Sequence, residues 1–199
     1  MSGVSQEHFD LLKDNLTNSS TSININHNKV HRGRFYACGD LFTSVADNGY
    51  AQILLINGHS AELHMGFTVT GEGKGYFQAK QGVSYSAPGT ALTVINKNTN
   101  PAAPAASMLA YKTPISVTGG NQLHPLELLT GGEGPRTIGK ETTKSQEVIL
   151  RPGGNFYLEF QNKAGATKDV SLLIEFYTND IFLATTTTST TTTTTTTTA

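Results

Sequence analysis

The sequence predicts an all-β fold, namely a single antiparallel β-sandwich or jelly roll over residues 34–180. Short runs rich in β-branched and aromatic residues recur there, separated by Gly, Asn and Pro turn signals. Residues 61–70 alternate between apolar and polar side chains, which is typical of a strand with one buried face. No helical pattern separates the runs, and this disfavours a parallel βαβ architecture.

The turn signals along the chain delimit the predicted strands. Asn48-Gly49 and Asn57-Gly58 predict turns on either side of a continuous apolar strand. Pro114 favours an edge position for the strand that contains it, and residues 119–135 read as a loop-rich region. Strands are predicted at residues 35–42, 50–56, 61–70, 76–85, 91–96, 109–117, 147–150, 155–161 and 169–177.

Residues 1–33 form a separate N-terminal extension in this prediction. A helix is expected over residues 5–16, because Phe9, Leu12 and Leu16 fall on one helical face. This helix either folds onto the domain or acts as an arm that docks on a neighbour. Residues 17–33 are expected to be an extended connector, with Ile23 and Ile25 on the same side. These five apolar residues are the predicted partner-binding anchors.

Residues 181–199 form a threonine-rich tail of low complexity. β-branched threonine disfavours helix and favours extended backbone. An isolated polythreonine segment buries too little surface to order itself. The tail is therefore expected to be disordered unless neighbouring chains supply its packing and hydrogen bonds.

Composition excludes several classes of function. The chain has 199 residues and a formal net charge of −1, which argues against non-specific nucleic-acid binding and against a basic membrane-surface protein. The N-terminus lacks a signal-peptide pattern, and the longest strongly apolar run, residues 53–56, is too short to span a bilayer. Cys38 is the single cysteine, so no intrachain disulfide forms, which fits a reducing compartment such as a cytoplasm.

The glycine-rich stretch Gly71-Glu72-Gly73-Lys74-Gly75 is the nearest approach to a nucleotide-binding motif. A phosphate-binding loop requires Ser or Thr after the lysine and a helix behind it. Here Gly75 follows Lys74, and the next residues read as a strand. A hairpin loop is therefore the better interpretation.

No other pattern predicts catalysis, a metal or a cofactor. A zinc site requires three or four converging ligands, and the histidines are expected to be solvated or hydrogen-bonded, although His59 and His64 lie close enough in sequence to share a ligand. Cys38 is expected to be buried as a small hydrophobic residue. Paired carboxylates for sugar hydrolysis remain an alternative on or near the strands: Glu62, Glu127, Glu147, Glu159 and Glu175.

Five segments carry a resemblance to a known family: NGYAQILLING, AELHMGFTVTGEGKGYFQAKQ, GTALTVINKNTN, EVILRPGGNFYLEFQNKAG and VSLLIEFYTND. Over residues 35–180 they resemble small β-sandwich virion proteins of tailed bacteriophages and are similar to capsid decoration, or cement, proteins. The N-terminal extension and the threonine tail depart from that compact pattern.

The resemblance implies a non-enzymatic structural protein on the outside of a head shell. Such a protein binds the major capsid protein or other virion subunits, forms a dimer or trimer, and stabilises the capsid by bridging its subunits. It would be assembled in the host cytoplasm and located in the virion, with no nucleic acid, membrane or cofactor as partner. Two alternatives remain: a fibre, tail or adhesion component whose sandwich binds glycan, and a cupin-like or glycosidase-like enzyme.

Overall fold

A computed structural model describes residues 25–100, 106–130, 142–143 and 147–178. Within these ranges the chain forms two antiparallel sheets packed face to face, together with one short helix, α1 (Ile25–His31). The all-β sandwich predicted from the sequence is confirmed. All the described strands lie inside the range assigned to it.

The first sheet contains β1 (Phe35–Val45), β3 (Leu63–Gly71), β6 (Ile95–Asn96), β9 (Thr142–Thr143), β10 (Val148–Leu150) and β12 (Lys168–Thr178). Its order is β10-β3-β12-β1-β6, and β9 also pairs with β3. β12 lies at its centre, with Ile174 opposite Phe67 on one side and Cys38 on the other.

The second sheet contains β2 (Tyr50–Ile56), β4 (Lys74–Ser84), β5 (Thr90–Leu92), β7 (Leu109–Lys112), β8 (Thr118–Thr130) and β11 (Asn155–Asn162). Its order is β5-β7-β2-β11-β4-β8. In β11, Glu159 lies opposite Gln52 of β2 and Gln78 of β4. This register places these three polar side chains next to one another on the outer face of the sheet.

Alternating side chains from both sheets fill the interior. Every second residue of β3 from Leu63 to Gly71 is buried, as the alternation predicts. The Phe67 ring of the first sheet lies 5.9 Å from the Phe156 ring and 6.4 Å from the Phe77 ring of the second, measured between centroids. These contacts join the two sheets through one apolar core.

The N-terminal connector differs from its prediction, because residues 25–31 are helical rather than extended. The helix ends in a Schellman motif: the amides of Gly33 and Arg34 donate to the carbonyls of Val30 and Lys29. Lys29 also donates to the carbonyl of Thr178, and its ammonium lies 5.4 Å from the centre of the Tyr177 ring. These contacts with β12 override the poor helix propensity of asparagine.

Two further predictions were wrong. β7 ends at Lys112, before Pro114, and lies between β5 and β2 rather than at an edge. Residues 118–130, predicted as loop, form an edge strand along β4. Register shifts opposite residues 77–80 absorb the extra residues around Pro125, and Gly119 and Gly120 adopt positive φ. Irregular pairing of this kind has no simple alternating pattern in sequence.

Candidate functional site

The edge strands of both sheets present large aliphatic side chains to solvent. In β8, Leu126 and Leu128 are 58% and 37% exposed. In the first sheet, Ile149 of β10 and Ile95 of β6 are 46% and 58% exposed. None of the edge strands β5, β6, β8 and β10 contains a lysine or an arginine. Natural sheets protect their edges with such charges or with short strands, and β5, β6 and β10 are two or three residues long. The exposed aliphatic side chains are therefore what suits these described edges to contact with another chain.

The pairing of β8 with β4 is irregular near the middle of β8 and regular near its C-terminal end. Pro125, which has no amide hydrogen, and the register shifts interrupt regular pairing near the middle of the strand. Leu128 lies opposite Tyr76 in regular register, and Glu127 lies opposite Phe77. The exposed Leu128 therefore lies in the regularly paired part of this strand, and the exposed Leu126 lies beside Pro125 within the register shift.

A polar row crosses the outer face of the second sheet. The Glu159 carboxylate accepts hydrogen bonds from Gln78 Nε2 at 2.7 Å and from Gln52 Nε2 at 2.9 Å. The Tyr157 hydroxyl, two residues away on the same strand, donates to the same carboxylate. Three side chains from three adjacent strands thereby fix the position of Glu159. We refer to Gln52, Gln78, Tyr157 and Glu159 as the Glu159 row.

The environment of Tyr157 keeps its phenol hydroxyl protonated. Burial, followed by the hydrogen bond to Glu159 and the charge of that carboxylate, raises the pKa of the Tyr157 phenol. The hydroxyl therefore remains protonated through the physiological range and continues to donate to Glu159. This fixes the direction of the hydrogen bonds in the row.

Tyrosines surround the Glu159 row. Tyr50 of β2 and Tyr76 of β4 flank Gln161 on one side, and Tyr50 is 51% exposed. On the other side, Leu54, Val83 and Tyr157 form a small cluster, against which four partly buried residues pack: Ile56, Tyr85, Tyr111 and Val117. Five of the seven tyrosines of the chain thus lie on this face.

The segments around Ala87 and Ile115 cover one half of this outer face. Ile115 donates its amide to the carbonyl of Ala87, and Ser86 donates its amide to the carbonyl of Ile115. The neighbouring Tyr85 and Val117 pack on the cluster beneath. The Glu159 row therefore lies at the boundary between a covered half and an open half that contains Tyr50 and Tyr76.

The histidines occupy separate environments. His64 stacks on Tyr177 at 5.1 Å between centroids, and its Nδ1 lies 3.0 Å from the Glu147 carboxylate. His124, predicted in a loop, lies on β8, where its ring stacks on Phe77 at 5.0 Å. Among the described residues, no three His, Cys, Asp or Glu side chains converge where a metal ion could be held.

Cys38 lies in the core of the first sheet at 2% exposure. Burial raises the pKa of the Cys38 thiol to about 12. The thiol therefore remains protonated near neutral pH, where the thiolate would be the reactive nucleophile. The location agrees with the prediction of a small buried hydrophobic residue.

The predicted anchors fall mostly outside the part of the chain that is described. Phe9, Leu12, Leu16 and Ile23 lie in residues 1–24, and Ile25 is the first residue of α1. The threonine tail likewise lies outside the described residues. Within the described residues, α1 is too short to cross a membrane.

No protein-family model matches the sequence, and comparisons with characterised proteins and with solved structures give no match either. The candidate surfaces therefore depend on geometry alone.

The sequence pointed to Glu159 only as one of five glutamates on or near the strands, and it did not reveal the Glu159 row. One signal was present in the residues: Gln52, Gln78 and Glu159 each stand directly between two apolar or aromatic residues of their strands. Recognising the row also requires the order of the strands, because β2, β11 and β4 are far apart in sequence.

Proposed function

We propose that this chain is a structural virion protein without catalytic activity, of the capsid decoration or cement type. In this proposal it binds the outer head shell and stabilises it by bridging capsid subunits. The family resemblance in the sequence motivates the choice of shell. The described structure supplies the observation that supports a subunit-binding role.

That observation is the character of the sheet edges. Leu126, Ile149 and Ile95 are about half exposed on strands that contain no lysine or arginine. Edges of this kind offer apolar side chains to a partner, and β8, with 13 residues, is also long enough to offer backbone groups. The edges of a sandwich face outward in opposite directions, so one molecule is able to contact two neighbouring subunits.

The low charge of the chain supports the same role. Charged residues make up 15% of the sequence, below the roughly 25% of an average domain. Central parts of protein interfaces are depleted in charge. In the proposal, Phe9, Leu12 and Leu16 of the N-terminal extension act as further anchors on the shell.

The stabilising mechanism is thermodynamic linkage. A protein that binds the assembled shell, but not dispersed subunits, shifts the equilibrium toward the shell by mass action. At a free concentration 100 times the dissociation constant, each site contributes about 2.7 kcal/mol. Binding across two subunits would make disassembly depend on breaking these contacts as well.

Purified particles test the proposal. We expect stoichiometric amounts of the chain on virions, and particles assembled without it should release their DNA at a lower temperature. Adding the purified protein back should restore the original temperature. Presence in infected-cell lysate alone, never on particles, would contradict the proposal.

A further inference from the structure

We infer that the outer face of the second sheet binds a neutral saccharide at the Glu159 row, with the ring of the sugar on the half-exposed Tyr50. The inference goes beyond the proposed function and does not depend on it. It follows from the hydrogen-bonding groups that the row leaves available and from the aromatic side chains beside them.

The first step is the available hydrogen-bonding capacity. Glu159 accepts three protein hydrogen bonds, while a carboxylate offers about four acceptor positions. Gln78 donates one of its two N–H groups to Glu159, and within the described residues its carbonyl oxygen accepts no hydrogen bond. The row thus holds donors and acceptors side by side, in positions fixed before any ligand arrives.

The second step matches these groups to a ligand. A sugar hydroxyl is both a donor and an acceptor, so adjacent hydroxyls can bond the carboxylate and the carboxamide together. Hydrogen bonds to an ionised carboxylate are stronger than those between neutral groups. Glu159 would repel an acidic sugar, since its hydrogen-bond partners Gln52 and Gln78 carry no positive charge, and Lys80, which shares this face, lies opposite Tyr157 rather than opposite Glu159.

The third step concerns distance. Side chains on the same face of one strand repeat every two residues, about 7 Å apart. Tyr50 therefore lies one such repeat from Gln52 along β2, and Tyr76 one repeat from Gln78 along β4. This spacing suits a sugar ring that rests its C–H face on a tyrosine while its hydroxyls reach the row.

The fourth step concerns shape. The segments around Ala87 and Ile115 cover the half of the face beyond Tyr157, while Tyr50 remains half exposed. The open half is a platform bordered on one side rather than a closed pocket. Such a site suits an oligosaccharide lying across the strands more than a small enclosed ligand.

The test is an array printed with neutral hexose oligomers, N-acetylhexosamine oligomers and uronic-acid oligomers, followed by titration of the best neutral oligomer. We expect neutral binding by the full chain. Tyr50→Ala and Glu159→Gln should each weaken it at least ten-fold, whereas Tyr50→Phe should retain it. Glu175→Gln changes an outward glutamate on the central strand of the other sheet and should bind like the unmodified protein.

Thermal unfolding of every variant separates loss of binding from loss of fold, and only variants within a few degrees of the unmodified protein are compared. Three results would overturn the inference: no neutral oligomer bound, binding of uronic-acid oligomers alone, or equal affinity of Glu159→Gln and the unmodified protein. None of these results bears on attachment to a virion, which the particle experiment measures separately.

Discussion

Asn57 and Asn162 make equivalent hydrogen bonds between the two sheets at opposite ends of the sandwich. Each is fully buried, and each joins a strand of the second sheet to a strand of the first. Asn57 donates from its side-chain amide to the carbonyl of Leu150 at 3.1 Å, and Asn162 donates to the carbonyl of Val45 at 2.8 Å. The two asparagines thereby tie both ends of the β2–β11 pair to the opposite sheet.

Asn162→Ala should lower the free energy of unfolding by about 2–3 kcal/mol, because it leaves buried carbonyl groups without donors. The Asn162 amide also donates to the carbonyls of Ala46 and Ala166. Urea unfolding measures the change. Asn121→Ala, at an exposed site on β8, is the control and should change the free energy by less than about 0.5 kcal/mol. Equal effects of the two variants would contradict this account of Asn162.

Gly75→Ala should destabilise the protein by about 1–3 kcal/mol, because a Cβ at this position would overlap the Phe160 ring. The glycine-rich hairpin thus makes room for a core phenylalanine. Calorimetry should show a smaller effect for Gly82→Ala, where nothing lies within 4 Å and only the positive φ imposes a cost. Adding Phe160→Leu to Gly75→Ala should make the two changes less than additive, and strict additivity would refute the steric explanation.

Stability should fall as the pH rises above about 9, partly because of Cys38. The folded thiol has its pKa raised to about 12 by burial, from 9.0 for an ordinary cysteine. Between these values the unfolded chain loses the proton and the folded chain retains it, so unfolding is favoured by up to about 1.4 kcal/mol per pH unit. Cys38→Ala should reduce this slope in denaturant titrations at pH 8 to 11. An unchanged slope would show that the thiol does not contribute.

The double change Leu126→Lys with Leu128→Lys should abolish self-association or binding to capsid subunits while preserving the fold. Both side chains are exposed near the C-terminal end of β8, where a lysine is accommodated in the monomer but disfavoured in an apolar interface. Light scattering after size-exclusion chromatography, and co-sedimentation with shells, measure the two kinds of binding. Gln122→Lys adds a charge at another exposed site on the same strand and should have little effect. Loss of binding in this control alone would place the interface elsewhere.

Much of the fold was predictable from strands in which apolar and polar residues alternate. The apolar side chains of β3 and β12, such as Leu63, Val69 and Ile174, are buried as the alternation requires. Asn48 adopts a positive φ in the turn after β1, as its Asn-Gly signal predicts. A local pattern predicts which side chains face the core when one face of the strand is buried and the other is exposed.

Other elements depend on contacts that sequence spacing does not reveal. α1 has weak helix propensity, although Gly33 at its end and Lys29 in its last turn were a usable C-terminal signal. β8 was missed because Gly119, Gly120 and Pro125 resemble a loop, whereas pairing with β4 determines its structure. The Glu159 row likewise appears only when β2, β11 and β4 are placed side by side.

A density map of an intact particle tests the central claim most directly. The account predicts this sandwich on the outer surface of the head shell, with β8, β10 or β6 in contact with capsid subunits and Leu126, Ile149 or Ile95 buried against them. A particle without the chain, or one in which all these edges face solvent, would contradict it.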